Sequence, residues 1–198
     1  MNKVKQPVFS ILIVFLVFGC QESVEYKYDT KPMMVTCGGA DKELLNEALY
    51  SFFNDISVYY ASRVQRPMSS TEAYANFIYK GSKGDADFRN IVSKHSLKLL
   101  EKLKQDEQLW DYTSNSSNLN YDSEFVSCLF SNIEDSSMRT TIMALKTTGS
   151  LNPKLLSDRL ITNVVDDFDQ PNFLMYIALD TYYQYLMDLD LSEINSNE

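Results

Sequence analysis

The sequence predicts an all-α fold, a single irregular or orthogonal helical bundle of six or seven helices. Apolar residues recur at spacings of three and four along most of the chain after residue 40, which is the period of one face of a helix. The expected helices cover roughly two thirds of the residues after the N-terminal segment, about twice the share in an average globular protein. No repeat of fixed length is apparent, which favours a bundle over a stacked solenoid.

Length and composition agree with one globular domain. The chain has 198 residues, of which 44% are hydrophobic and 23% charged, and a domain of this size can bury a sizeable core without metals. Acidic residues outnumber basic ones by 27 to 18, giving a net charge of −9. Because nucleic-acid-binding proteins present basic surfaces to phosphates, nucleic acid is not an expected partner.

The N-terminus has the pattern of an export signal. Lys3 and Lys5 precede an apolar run at residues 8–18, which Gly19 and Cys20 close. Eleven helical residues would rise about 16 Å, well short of the ~30 Å hydrocarbon core of a bilayer. The run is therefore expected to direct export rather than to span the membrane.

Residues 16–20, LVFGC, resemble the lipobox of bacterial lipoproteins, whose signal peptidase cuts before a cysteine that carries a diacylglycerol thioether. This resemblance, confined to residues 1–20, implies removal of residues 1–19 and lipidation of Cys20; the alternative is an ordinary thiol after an uncleaved signal. The two or three acyl chains of such lipoproteins, palmitate among them, hold a protein stably on a membrane. Gln21 follows where lipoproteins retained in the inner membrane often have Asp, which favours the outer membrane.

Residues 20–36 are expected to form a lipidated linker before a helical domain at residues 37–198. Sixteen extended residues reach at most ~55 Å, enough to hold a domain away from the headgroups. Loss of Lys3 and Lys5 with the signal leaves 16 basic and 27 acidic residues, a net charge of −11, which an anionic surface would repel. Alternation of Val24, Tyr26 and Tyr28 with polar residues leaves a short edge strand as the alternative.

Capping residues mark the beginnings of the expected helices. Asp41 can cap the first, Ser69 and Glu72 have capping-box spacing before the second, and Asp85 can cap a third helix that continues to Leu103. A polar run at residues 111–120 predicts a loop.

Four further helices are expected after that loop. They begin at Asp122, at Ser136 or Ser137, at Asn152-Pro153 and at Asp169-Pro171, and Gly149 suits the C-cap of the second of them.

The last helix is expected to be amphipathic. A stripe with spacings of three and four should face the core: Met175, Leu179, Tyr182, Leu186 and Leu189. Asn172, Asp180, Gln184 and Asp188 lie opposite, which places Tyr176 outward as a possible ligand or partner contact. Most of the 13 tyrosines are expected to fill the core, with a minority at a partner-facing rim.

His95, the only histidine, falls on the apolar side of its expected helix. A hydrogen-bonded core histidine is the favoured interpretation, because no motif marks a serine or cysteine as its nucleophile; contact with a ligand or partner and catalysis with a nearby carboxylate are the alternatives. One histidine and two non-anchor cysteines are too few for a zinc site. We therefore expect no metal, cofactor or catalytic residue.

Cys37 and Cys128 are predicted to form a disulfide. Export places the domain outside the reducing cytosol, and lipidation of Cys20 leaves these two cysteines with one possible connection. Two separate buried thiols are the alternative.

Together these observations predict a membrane-anchored envelope lipoprotein whose non-catalytic helical domain binds another envelope protein. An immunity or inhibitor protein that blocks a toxic enzyme is one alternative, since acidic helical proteins can mask basic active-site rims. A small enzyme using His95 is the other.

Overall fold

The structure is a computed structural model that describes residues 24–113, 117–166 and 170–190. Within these ranges the chain is all-α, as predicted, and it forms eight helices. They are α1 (Lys42–Val64), α2 (Ser70–Gly81), α3 (Phe88–Ile91), α4 (Lys94–Leu103), α5 (Glu124–Ser131), α6 (Ser136–Thr147), α7 (Pro153–Asp166) and α8. Helix α8 runs through Pro171–Ala178, a π-helical segment at Leu179–Tyr183 and Gln184–Met187.

Helix α1 organises the bundle. The Asp41 carboxylate caps it by accepting the backbone N–H groups of Glu43 and Leu44 at 3.0 and 3.1 Å. Along its length α1 packs against α2, α3, α4 and α8. Its apolar face is fully buried at Leu49, Phe52 and Ile56. The apolar residues that recur every three or four positions in α1 thus face the core, as the sequence predicts.

The third predicted helix, from Asp85 to Leu103, is two helices in the structure. Val92 is extended, with ψ of 130°, and Ser93 caps α4 by accepting the backbone N–H of Ser96 at 3.1 Å. The Ser93 N–H donates to Asp55 of α1 at 3.0 Å. The break is stable because a buried carboxylate and a capping hydroxyl satisfy backbone groups that a continuous helix would use itself.

The predicted core stripe of α8 is buried at Met175, Leu179, Tyr182 and Leu186. The prediction that Tyr176 lies outward, on a strip with Asp180 and Gln184, is wrong. Tyr176 and Asp180 have no exposed surface, and Gln184 is 6% exposed. Because α8 packs against both α1 and α5, little of its circumference is left for solvent, and Asp180 and Gln184 find buried hydrogen-bond partners. Asp169, the expected cap, lies outside the described residues, and Gln170 precedes the helix.

A disulfide joins the segment before α1 to α5, as predicted. The Sγ atoms of Cys37 and Cys128 are 2.07 Å apart and their Cα atoms 5.8 Å apart. The bond connects two parts of the core that are separated by 91 residues in the sequence.

Candidate functional site

Residues 24–36, which we call the N-terminal strap, lie against the N-terminal half of α1. The backbone N–H groups of Lys27 and Tyr28 donate to the two carboxylate oxygens of Glu47 at 2.6 and 2.9 Å. Val24 and Tyr26 are partly buried against the core. The strap contains no strand, so its backbone is held by side chains of α1 rather than by a partner strand.

A second set of bonds fixes the far end of the strap. The Asn46 side-chain oxygen accepts the backbone N–H groups of Met34 and Val35 at 2.6 and 3.1 Å. The Tyr50 hydroxyl donates to the carbonyl of Pro32 at 2.8 Å. Residues 24–36 therefore pack on the helical domain rather than forming a free linker, whereas residues 20–23 of the predicted linker lie outside the described residues.

His95 holds the carboxylate that binds the strap. Its Nε2 atom is 2.5 Å from Oε1 of Glu47, and the two residues are only 7% and 3% exposed. The ring of His95 also meets Tyr28 of the strap edge-on, with ring centroids 6.1 Å apart. The predicted hydrogen-bonded core histidine is confirmed. Because Glu47 accepts three donors, the pair acts as a clamp on the backbone of the strap.

A second buried carboxylate, that of Asp55, connects three helices. Oδ2 of Asp55, in α1, accepts the hydroxyl hydrogens of Ser96 and Tyr182 at 2.6 and 2.7 Å. It also accepts the backbone N–H of Ser93. These bonds join α1, α4 and α8 and make Asp55 a structural residue.

A third buried carboxylate, Asp180, fixes the predicted loop onto the π-helical segment of α8. The hydroxyls of Ser117 and Tyr121 donate to its two oxygens, the latter at 2.7 Å. Burial raises the pKa of Asp180 from 3.8 to about 6, and hydrogen bonds from Ser117 and Tyr121 limit the rise. Gln184, one turn further along, accepts the backbone N–H of Asn118 at 3.1 Å.

An open groove of about 530 Å³ lies at the C-terminal end of α1. Tyr60, Val64 and Arg63 contribute to its lining, together with Tyr59 and Asp87. The guanidinium of Arg63 lies 5.1 Å from the centroid of the Tyr59 ring, and the Tyr59 hydroxyl donates to Asp87 at 3.1 Å. Tyrosine and arginine are enriched among the residues that dominate the energy of protein interfaces, so this groove is a candidate partner surface.

Sequence reasoning identified some of these residues and missed others. It found the disulfide and the buried His95, whereas Tyr176 is buried and is not available to a partner. Cys20 lies outside the described residues. The clamp of Glu47 on the strap and the groove were missed, although the pair of tyrosines near the end of α1 is a signal for the groove. The described residues bring no three potential metal ligands together.

Comparison of the chain with protein-family models, with curated proteins and with solved structures yields no match. No helix among the described residues is long and apolar enough to cross a membrane. Function has to be argued from the chain's own residues.

Proposed function

We propose that this chain is a bacterial envelope lipoprotein, anchored by lipid on Cys20, whose helical domain binds another envelope protein without catalysing a reaction. The observation that carries the proposal is the Gly19-Cys20 junction after a basic and apolar leader. The Cys37–Cys128 disulfide supports export, because disulfides persist mainly in oxidising compartments. Gln21 favours the outer membrane.

Two features support binding over catalysis. The His95–Glu47 pair, which would be the natural acid and base, is engaged with the backbone of the strap. The groove at the end of α1 instead offers tyrosines and an arginine at a rim that is open to solvent. The groove is accordingly our proposed partner surface.

Replacement of Cys20 by serine tests the anchor. The variant should leave the membrane fraction or keep its signal uncut, because serine cannot form the thioether. Sedimentation and intact mass report the two outcomes, with Ser23→Ala as a nearby control that keeps the anchor. A Cys20→Ser protein that still sediments with membranes after signal cleavage would refute the proposal.

The groove is tested by affinity capture with the lipidated protein from detergent-solubilised envelopes. Arg63→Ala should reduce recovery of the specific partner, because it removes a cation stacked on Tyr59. Lys42→Ala removes the same charge at the opposite end of α1 and serves as the matched control. Equal recovery with both variants would contradict the assignment of the groove.

The charge of the mature chain, −11 by the count above, supports a second candidate, an inhibitor or immunity protein for an enzyme with a basic active-site rim. Such a complex should associate faster at low salt. An association rate that does not change with ionic strength would argue against this candidate.

A further inference from the structure

We propose that the strap face of the domain rests at the lipid headgroup surface and that the groove at the far end of α1 is held away from it. This inference depends on the proposed lipidation of Cys20. The inference assigns to the strap a role in orienting the domain. The surface that contacts the strap is the headgroup layer of the membrane that holds the lipid of Cys20.

The length of the tether gives the first argument. Only three residues separate Cys20 from Val24, so the chain between them spans at most about 14 Å when fully extended. From Val24 onward the strap packs on the domain, and Glu47 and Asn46 bind its backbone. A lipidated Cys20 therefore keeps Val24, the first residue of the strap, within about 14 Å of the membrane surface, compared with ~55 Å for the free linker.

The distribution of charge gives the second argument. Residues 24–43, the strap and the first turn of α1, contain three basic and four acidic residues, whereas residues 44–198 contain 13 and 22. The net charge is −1 over the 20 residues of the strap end and −9 over the other 155 residues, so the charge per residue is nearly the same in both parts. Because a net charge of −1 is repelled only weakly by an anionic headgroup layer, charge does not oppose contact between the strap end and that layer.

Helix α1 gives the third argument, because it sets the distance to the groove. Met33 of the strap contacts Asn46, with its sulfur 2.6 Å from the side-chain nitrogen. Val64, at the groove, follows Asn46 by 18 residues in the same helix, a rise of about 27 Å. Anchoring at the strap end therefore leaves the groove accessible to a protein in the surrounding compartment.

Fluorescence resonance energy transfer, from a donor dye on the domain to an acceptor dye in the membrane, tests the orientation. The full lipidated chain is placed in phosphatidylethanolamine and phosphatidylglycerol vesicles that contain a headgroup acceptor dye. A donor dye is attached through an unnatural amino acid at Met33 or at Val64, which are matched in exposure at 49% and 47%. Transfer should be higher from position 33 than from position 64. Equal transfer, or higher transfer from position 64, would overturn the proposal.

A spacer variant tests the tether while leaving the folded residues unchanged. Twelve glycine and serine residues inserted between Ser23 and Val24 add a root-mean-square length of about 19 Å. Transfer from position 33 should fall, with loss of the difference between the two positions. Persistence of that difference would refute orientation by the tether.

Failure of the underlying lipidation has a separate signature. Protein without lipid does not float with the vesicles and shows no transfer from either position, which refutes the anchor. Protein that floats but transfers equally from both positions refutes only the orientation.

Discussion

Replacing Asp180 by asparagine should remove a pH dependence of stability that burial creates in this domain. In the folded protein Asp180 has no exposed surface, and its pKa is raised from 3.8 to about 6. Between these two values the folded state binds a proton that the unfolded state has released. The free energy of unfolding therefore falls as pH rises through this interval, and the loss is complete above the folded pKa.

The structure sets the size of this effect. The difference between 3.8 and about 6, at about 1.4 kcal/mol per pH unit, corresponds to roughly 3 kcal/mol. Asparagine has nearly the shape of the neutral carboxyl group, and its oxygen can still accept a hydrogen bond from Ser117 or Tyr121. Part of this difference falls below pH 4, so the stability of Asp180→Asn relative to the parent should increase by roughly 2.4 kcal/mol between pH 4 and pH 7.

Urea unfolding monitored by circular dichroism at several pH values measures this difference. Subtracting the unfolding free energy of the parent from that of the variant at each pH cancels the titration of all other groups. Asp188→Asn, at an exposed carboxylate near the end of the same helix, is the matched control and should show a much smaller change. A stability difference for Asp180→Asn that stays constant between pH 4 and pH 7 would refute the reasoning.

Two further predictions concern the core. The double variant Cys37→Ala, Cys128→Ala should lose about 4.6 kcal/mol of unfolding free energy, which is the chain-entropy value for a closed loop of about 92 residues. Urea unfolding of the oxidised parent and of the variant measures this loss. Equal stabilities of the two proteins would contradict a stabilising role for the disulfide. Tyr176→Ala should cost about 3 to 5 kcal/mol and Leu179→Ala about 2 to 5 kcal/mol, since both side chains are fully buried. Thermal unfolding compares the two, and a negligible loss for the tyrosine variant alone would show that this side chain is outward after all.

Features determined by neighbouring residues were predictable from the sequence. Asp41 caps α1 and Ser69 caps α2, because a side-chain oxygen next to the first turn satisfies free N–H groups wherever the helix lies. Gly149 adopts φ of 64° after α6, a conformation that glycine reaches without steric cost. The disulfide followed from counting cysteines in a chain whose N-terminus has the pattern of an export signal.

Features that depend on distant partners were decided only by the tertiary structure. Periodicity placed Asp180 on an outward strip, but Ser117, 63 residues away in sequence, supplies a buried donor that makes an inward position favourable. The strap has a linker's composition and becomes part of the domain because Glu47, fixed by His95, accepts its backbone N–H groups. Sequence patterns report which residues can avoid water, whereas the fold determines which polar groups find partners without it.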